Sequence, residues 1–156
     1  MLPSMDKPSM PEAAARRFIA GRYGDRASGL TLLGAGEWSR AYAFTLDGQA
    51  AVARFGAYRD DFAKDQVMAR FSSPGLPIPA VTEVGRTAHG YFAVSARAPG
   101  MLLDDLGEAG LRAVLPSLLS ALDAIRGIDV AGSTGYGNWA PDSAGQHQAG
   151  RRPCCR

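Results

Sequence analysis

Glycine at positions 34 and 36, a hydroxyl at Ser39, a cation at Arg54 and a carboxylate at Asp65 are the residues of this 156-residue chain best suited to chemistry. A backbone without Cβ atoms can approach an anion closely and meet its charge with amide N–H groups. A guanidinium in Ala51-Val52-Ala53-Arg54 would add charged donors, and a carboxylate eleven residues later could hold that side chain in place. The chemistry such a set suggests is the gripping of phosphate. Singly, each has a plainer reading: a tight turn for the glycines, a solvated strand-end charge for Arg54, an exposed helix carboxylate for Asp65. Their order along the chain decides between the readings.

That order depends on the elements between them. Ser9-Met10-Pro11-Glu12 has the form of a capping box and predicts a helix over about 11–23, with Ala14, Phe18 and Ile19 on one face. Leu30 to Leu33 and Arg40 to Leu46 read as strands flanking the glycine segment, with Tyr42, Phe44 and Leu46 on one side of the pleat. Asp47-Gly48 is a strong hairpin signal, and Ala50 to Phe55 is the returning strand. Helical spacing resumes over 59–71, with Phe62, Met68 and Phe71 inward. Three prolines in Ser73 to Pro79 predict a rigid extended link. Val81 to Arg86 and Tyr91 to Arg97 form a further hairpin turning at Ala88-His89-Gly90. A helix over 108–126 carries Leu111, Val114, Leu115, Leu118, Leu119, Leu122 and Ile125, with Pro116 kinking it or marking its true first turn. Helix, three strands, helix, two strands, helix is an α+β order. A glycine loop that opens a strand, not a helix, departs from dinucleotide-binding folds and matches the way protein kinases cover ATP phosphates.

Composition narrows the partners. Seventeen basic against fifteen acidic side chains give a net charge of +2, too balanced to nominate nucleic acid. Fifteen of the basic residues are scattered Arg, and with 27 Ala they suggest coding bias. No apolar run has the length of a membrane span, and the amino terminus lacks a secretory signal, so a cytoplasmic, membrane-free protein is expected. Cys154 and Cys155 are adjacent, and His89 and His147 are the only histidines, which argues against a disulfide or a zinc site; no metal ligand is assigned.

Read together, Gly36-Glu37-Trp38-Ser39-Arg40-Ala41-Tyr42, Val52-Ala53-Arg54-Phe55, Asp61-Phe62-Ala63-Lys64-Asp65, Leu76-Pro77-Ile78-Pro79, Leu122-Asp123-Ala124-Ile125 and Gly135-Tyr136-Gly137-Asn138-Trp139 resemble the aminoglycoside phosphotransferase family, its hygromycin B kinases most of all. The resemblance runs in order from about Pro11 to His147 and covers the amino-terminal lobe. It implies a protein-kinase-like lobe, an antiparallel sheet of about five strands plus a helix, followed by the first helix of a second lobe. It also implies ATP as phosphoryl donor and an aminoglycoside-like acceptor. By position, Gly34, Gly36 and Ser39 would form the phosphate-covering loop, Arg54 would contact phosphate and Asp65 would pair with it. Val94, Ser95, Ala96 and Arg97 would form a hinge whose backbone bonds adenine. Ser39 stands where protein kinases have a third glycine, and Arg54 stands in place of Lys, presenting a planar fork in place of a point charge. Lys64 is a second candidate for the phosphate contact.

The resemblance also shows what these residues lack. A His-x-Asp-x-x-x-x-Asn loop, which would supply the base and metal ligands, does not occur: His89 is followed by Tyr91 two residues on, and His147 by Ala149. Gln148 to Arg156 read like an out-of-frame ending, so the expectation is a truncated product of a frameshift or a misassigned reading frame, inactive by itself, with Mg²⁺ requiring the second lobe. The expected organisation is a flexible terminus at 1–10, the kinase-like lobe at 11–98, a hinge and helix at 99–131 and an irregular tail at 132–156. The leucine helix, short of packing partners, is expected to promote self-association. The competing readings are a non-catalytic interaction module built on the lobe fold and a lone structural domain in which the glycines only turn the chain.

Overall fold

The computed structural model describes residues 10–36, 39–132, 134, 136–139 and 145–147, and these fall into two compact units. The first holds the described residues of Met1–Gln66 and Pro79–Arg97; the second holds Val67–Ile78 and the described residues of Ala98–Arg156.

In the first unit, helix α1 (Glu12–Tyr23) precedes strands β1 (Ala27–Ala35), β2 (Ser39–Leu46) and β3 (Gln49–Gly56). Helix α2 (Arg59–Met68) starts in this unit, and β4 (Val81–Thr87) and β5 (Gly90–Ala96) complete it. The five strands form one antiparallel sheet in the order β1-β2-β3-β5-β4, so β5 is inserted between β3 and its own hairpin partner. The Asp47-Gly48 turn has both residues at positive φ (51° and 78°), which a two-residue hairpin between right-twisted strands needs. Arg26 grips the turn with two hydrogen bonds to the Asp47 carboxylate, 2.8 and 2.6 Å, and the pairing holds that carboxyl below its usual range.

Alternation along the strands gives the sheet two different faces. Tyr42, Phe44, Ala51, Ala53, Phe55, Phe92 and Val94 form one, and pack with Met10, Ala15, Ile19 and Leu30 into the main core. Phe18 of α1 seats edge-on against Phe92 and Phe55, with centroids 4.8 and 5.5 Å away, an arrangement aromatic rings favour. The buried Tyr42 hydroxyl donates to the Met10 carbonyl at 2.5 Å, so Met10 is anchored although the sequence suggests a loose terminus there. Ala41, Ala43, Val52, Arg54, Ala93 and Ser95 point to the opposite face, where α2 supplies Phe62 and Ala63.

Several expectations need correction. Strand β1 is nine residues long, not four, because ladder pairing with β2 recruits Ala27-Ser28-Gly29 and Gly34-Ala35, which carry no apolar alternation. Helix α1 has Pro11 as its cap, without a side-chain bond, and the Glu12 carboxylate accepts from Arg16 one turn on, at 2.7 Å; the other half of the expected capping box rests on a residue that is not described. Ser9 lies outside the described residues. Helix α2 ends at Met68 and tightens into a 3₁₀ turn over Ala69–Phe71.

In the second unit, Ser73 and Leu76 exchange backbone hydrogen bonds of 2.9 and 3.0 Å, making a tight turn with Pro74-Gly75 in the middle. This segment is therefore not extended throughout; proline and glycine suit the two central positions of such a turn. Helix α3 (Glu108–Arg126) spans the predicted residues, and Pro116 lies well inside it, not in its first turn. Its Val114, Leu118 and Ala121 line a cavity of about 490 Å³ together with Pro74, Pro77 and Leu103. None of α3 is fully buried: Leu111, Leu115, Leu119, Leu122 and Ile125 remain 44–53% exposed. Where an irregular tail was expected, the backbones of β6 (Tyr136–Trp139) and β7 (Gly145–His147) pair antiparallel, which a ladder can do without an apolar pattern. The two cysteines lie outside the described residues. Among the described residues no helix is long and apolar enough to cross a membrane.

Candidate functional site

Pairing register assembles the site. Gly34 lies opposite Ala41, Ala41 opposite Arg54, Arg54 opposite Ala93, and Ala93 opposite Val84. Residues directly opposite each other in an antiparallel sheet share a face. The first glycine and the guanidinium-bearing residue therefore stand in one row on the face away from the α1 core. Two strand spacings, roughly 10 Å, separate them. A β-bulge between Leu32 and Gly34 brings the glycine into that row and twists the strand end locally.

The Gly36 amide donates to the Ser39 carbonyl at 2.9 Å, linking the end of β1 to the start of β2; Glu37 and Trp38 lie outside the described residues. Neither Gly34 nor Gly36 has a positive φ. Among the described residues, a Cβ at Gly34 would meet nothing within 4 Å, and one at Gly36 only the Ser39 carbonyl at 3.8 Å. Neither backbone strain nor packing by a described residue requires these two glycines.

Arg54 is held from α2. Its Nη2 donates to the Asp65 carboxylate, both side chains 32% exposed, and its guanidinium lies 5.4 Å from the centroid of the Phe62 ring. Phe62 is 2% exposed, so it is a rigid apolar floor under the cation. The sequence identified Phe62 as an inward helix position but not as a partner of Arg54; three residues before Asp65, it sits on the same helix face, and that spacing is the available signal. Lys64 is ion-paired to Asp61 at 3.2 Å, one turn back along the helix.

The residues expected at a hinge, Val94 to Arg97, are placed more variously. Val94 turns its side chain into the core, whereas Ser95 shares the face of Arg54, opposite Val52. The Ala96 amide donates to the Ala80 carbonyl and the Arg97 amide to the Ala50 carbonyl, each at 3.0 Å, so both donors are engaged within the sheet. The Val94 carbonyl is engaged too, accepting from the Thr82 hydroxyl at 3.1 Å. Among the described residues no three His, Cys, Asp or Glu side chains cluster closely enough to hold a metal ion.

This arrangement can be set beside known proteins. No protein-family model matches the chain. The hygromycin-B 4-O-kinase of Escherichia coli is 35% identical over 153 residues, which is 97% of this chain and 45% of that protein. A crystal structure of the aminoglycoside phosphotransferase APH(4)-Ia superposes with a TM-score of 0.81 at 35% identity, covering 88% of this chain and 47% of the other. The fold is the kinase-like amino-terminal lobe of the aminoglycoside phosphotransferases. A thermostable APH(4)-Ia variant in ternary complex with AMP-PNP and hygromycin B matches this lobe with a TM-score of 0.78 at 36% identity, over 84% of this chain and 45% of that one. Another was solved with ADP and hygromycin B, at the same score and coverage. The lobe thus spans about half the length of the relatives it matches.

Proposed function

We propose that this chain provides the nucleotide-binding lobe of an ATP-dependent phosphotransferase whose acceptor is an aminoglycoside of the hygromycin B type. The observation that carries the reading is the single row in which Gly34 and Arg54 face the same side of the sheet, with Asp65 and Phe62 fixing the guanidinium. In this reading the loop from Gly34 to Ser39 covers the triphosphate, and its two glycines bring backbone amides close to phosphate oxygens. Arg54 neutralises phosphate charge with a planar set of donors, and Lys64, tied to Asp61, is the weaker alternative. The segment Val94 to Arg97 flanks the adenine, with two of its amides already occupied within the sheet.

Transfer would form a bond from an acceptor hydroxyl oxygen to the γ-phosphorus as the bond to the β–γ bridging oxygen breaks; ADP leaves with that electron pair and the hydroxyl proton goes to a base. No His-x-Asp-x-x-x-x-Asn motif lies within these 156 residues, and no described carboxylate cluster fits Mg²⁺. The contribution of this chain is therefore binding and charge neutralisation, and by itself it should not turn over. Titration with AMP-PNP tests the proposal. Wild type should bind, and Arg54→Ala should bind at least about tenfold more weakly with an unchanged fold; equal affinities would overturn it.

The exposed leucine stripe of α3 favours one other reading, a non-catalytic interaction module. Phosphorylation of hygromycin B on mixing with a separately expressed carboxy-terminal half of the Escherichia coli kinase would decide for the enzyme.

A further inference from the structure

Strand β4 lies at the sheet edge, so a ladder fixes its register from one side only. That ladder carries a bulge. Val81 stands opposite Ser95 and Glu83 opposite Val94, which leaves Thr82 as the extra residue. The Thr82 hydroxyl donates to the Val94 carbonyl at 3.1 Å, and the Ala80 carbonyl accepts from the Ala96 amide at 3.0 Å. The bulged segment therefore holds the end of β5 on both sides of Ser95.

The bulge is gripped in turn from α1. The two oxygens of the Glu83 carboxylate accept from neighbouring residues of the last helical turn, one from Arg22 Nη2 and the other from the Tyr23 hydroxyl at 2.5 Å. Arg22 also lies over the Phe92 ring, its guanidinium 5.0 Å from the centroid. That ring leans on Gly85, where a Cβ would come within 2.5 Å of it. Three residues beyond Tyr23, Arg26 binds the Asp47 turn, so the end of α1 ties β4 and the β2–β3 hairpin to one anchor. The Arg22 and Glu83 side chains are partly exposed, so their pairing adds little to global stability and acts where it sits.

We propose that Glu83 is a positioning residue for the nucleotide: pinned by Arg22 and Tyr23, it fixes the Thr82 bulge and with it the place of Val94 to Arg97 beside the base. The role presupposes the nucleotide-binding lobe proposed above and adds to it a residue on the opposite face of the sheet from Arg54. Phosphate is gripped at Arg54 and the glycine loop, several residues away along the strands. Releasing the clamp should therefore weaken contacts to the base and spare those to phosphate.

Hydrogen exchange followed by NMR on the full chain tests the clamp without a ligand. In Glu83→Ala the Ala96 amide should exchange at least about tenfold faster than in wild type, while amides of the β2–β3 ladder keep their rates. Tyr23→Phe should act in the same direction, and it serves if Glu83→Ala does not fold. Unchanged exchange at Ala96 in the folded variants would overturn the proposal, as would equal acceleration throughout the sheet. Titration then separates base from phosphate. Glu83→Ala and Thr82→Val should bind AMP-PNP about five- to tenfold more weakly and inorganic tripolyphosphate as wild type does, whereas Arg54→Ala should lose affinity for both. Equal weakening toward both ligands, or none toward AMP-PNP, would refute the positioning role. A wild type that binds neither ligand would instead overturn the nucleotide reading, and the role with it.

Discussion

The two faces of the five-stranded sheet are built from the same strands and do opposite work. One is filled with large side chains, Tyr42, Phe44, Phe55, Phe92 and Val94, sealed by α1. The other is paved with Ala41, Ala43, Val52 and Ala93 and leaves Arg54 as its one charged member along the central row. Bulk fills the first face; on the second the small Ala43 and Ala93 are buried as well, 3% and 1% exposed, and the Arg54 side chain stays partly exposed. A sheet can be structural and functional at once only because alternation assigns successive residues to different tasks.

The largest expected effect breaks the sealed face. Phe92→Ala removes a 1% exposed ring packed on Phe18 and Phe55, and should cost about 3–5 kcal/mol, seen as a fall in the denaturation midpoint. Gly90→Ala follows. Gly90 has φ 134°, and a Cβ there would press on the Gly56 backbone where β5 begins, so a loss of about 1–3 kcal/mol is expected in the same measurement. Tyr42→Phe keeps the ring but orphans the Met10 carbonyl, for about 1 kcal/mol.

On the Arg54 face the order of effects reverses. Asp65→Asn should change stability by less than about 1 kcal/mol, the pair being partly solvated, yet should weaken AMP-PNP binding several-fold by freeing Arg54. If instead Asp65→Asn unfolded the protein, the two faces would not be functionally distinct. The smallest effect concerns pH. Asp47 titrates below its ordinary value in the folded chain because of Arg26, so its contribution is present above about pH 4 and fades as the pH falls through the lowered value. Asp47→Asn should flatten the acid limb of the stability profile slightly and leave its neutral region nearly unchanged.

Local signals made much of this legible. Asp47-Gly48 announced its turn because only a left-handed pair closes such a hairpin, and the leucine spacing of α3 marked that helix to the residue. Arg54 and Asp65 were legible as a pair for the same reason, since a strand followed by a helix returns the chain within reach. What stayed hidden depends on non-local pairing. The insertion of β5 beside β3 cannot be read from a hairpin pattern that joins β5 to β4, and without it the row from Gly34 to Val84 does not exist. Likewise Ser28 looks like a loop residue until it pairs with Thr45 of β2, and Glu12 finds a partner in Arg16 one turn on.

The insertion of β5 also bears on how the chain acquires its native state. Strands β1, β2 and β3 are sequential neighbours and can zip together locally, whereas β3 meets β5 only across separations running from Gly56–Tyr91 to Ala51–Ala96. Closing that longer loop is entropically slower. The meander carrying Gly34 and Arg54 should thus condense early, and the slot beside Ala93 and Ser95 should mature only in the final docking event.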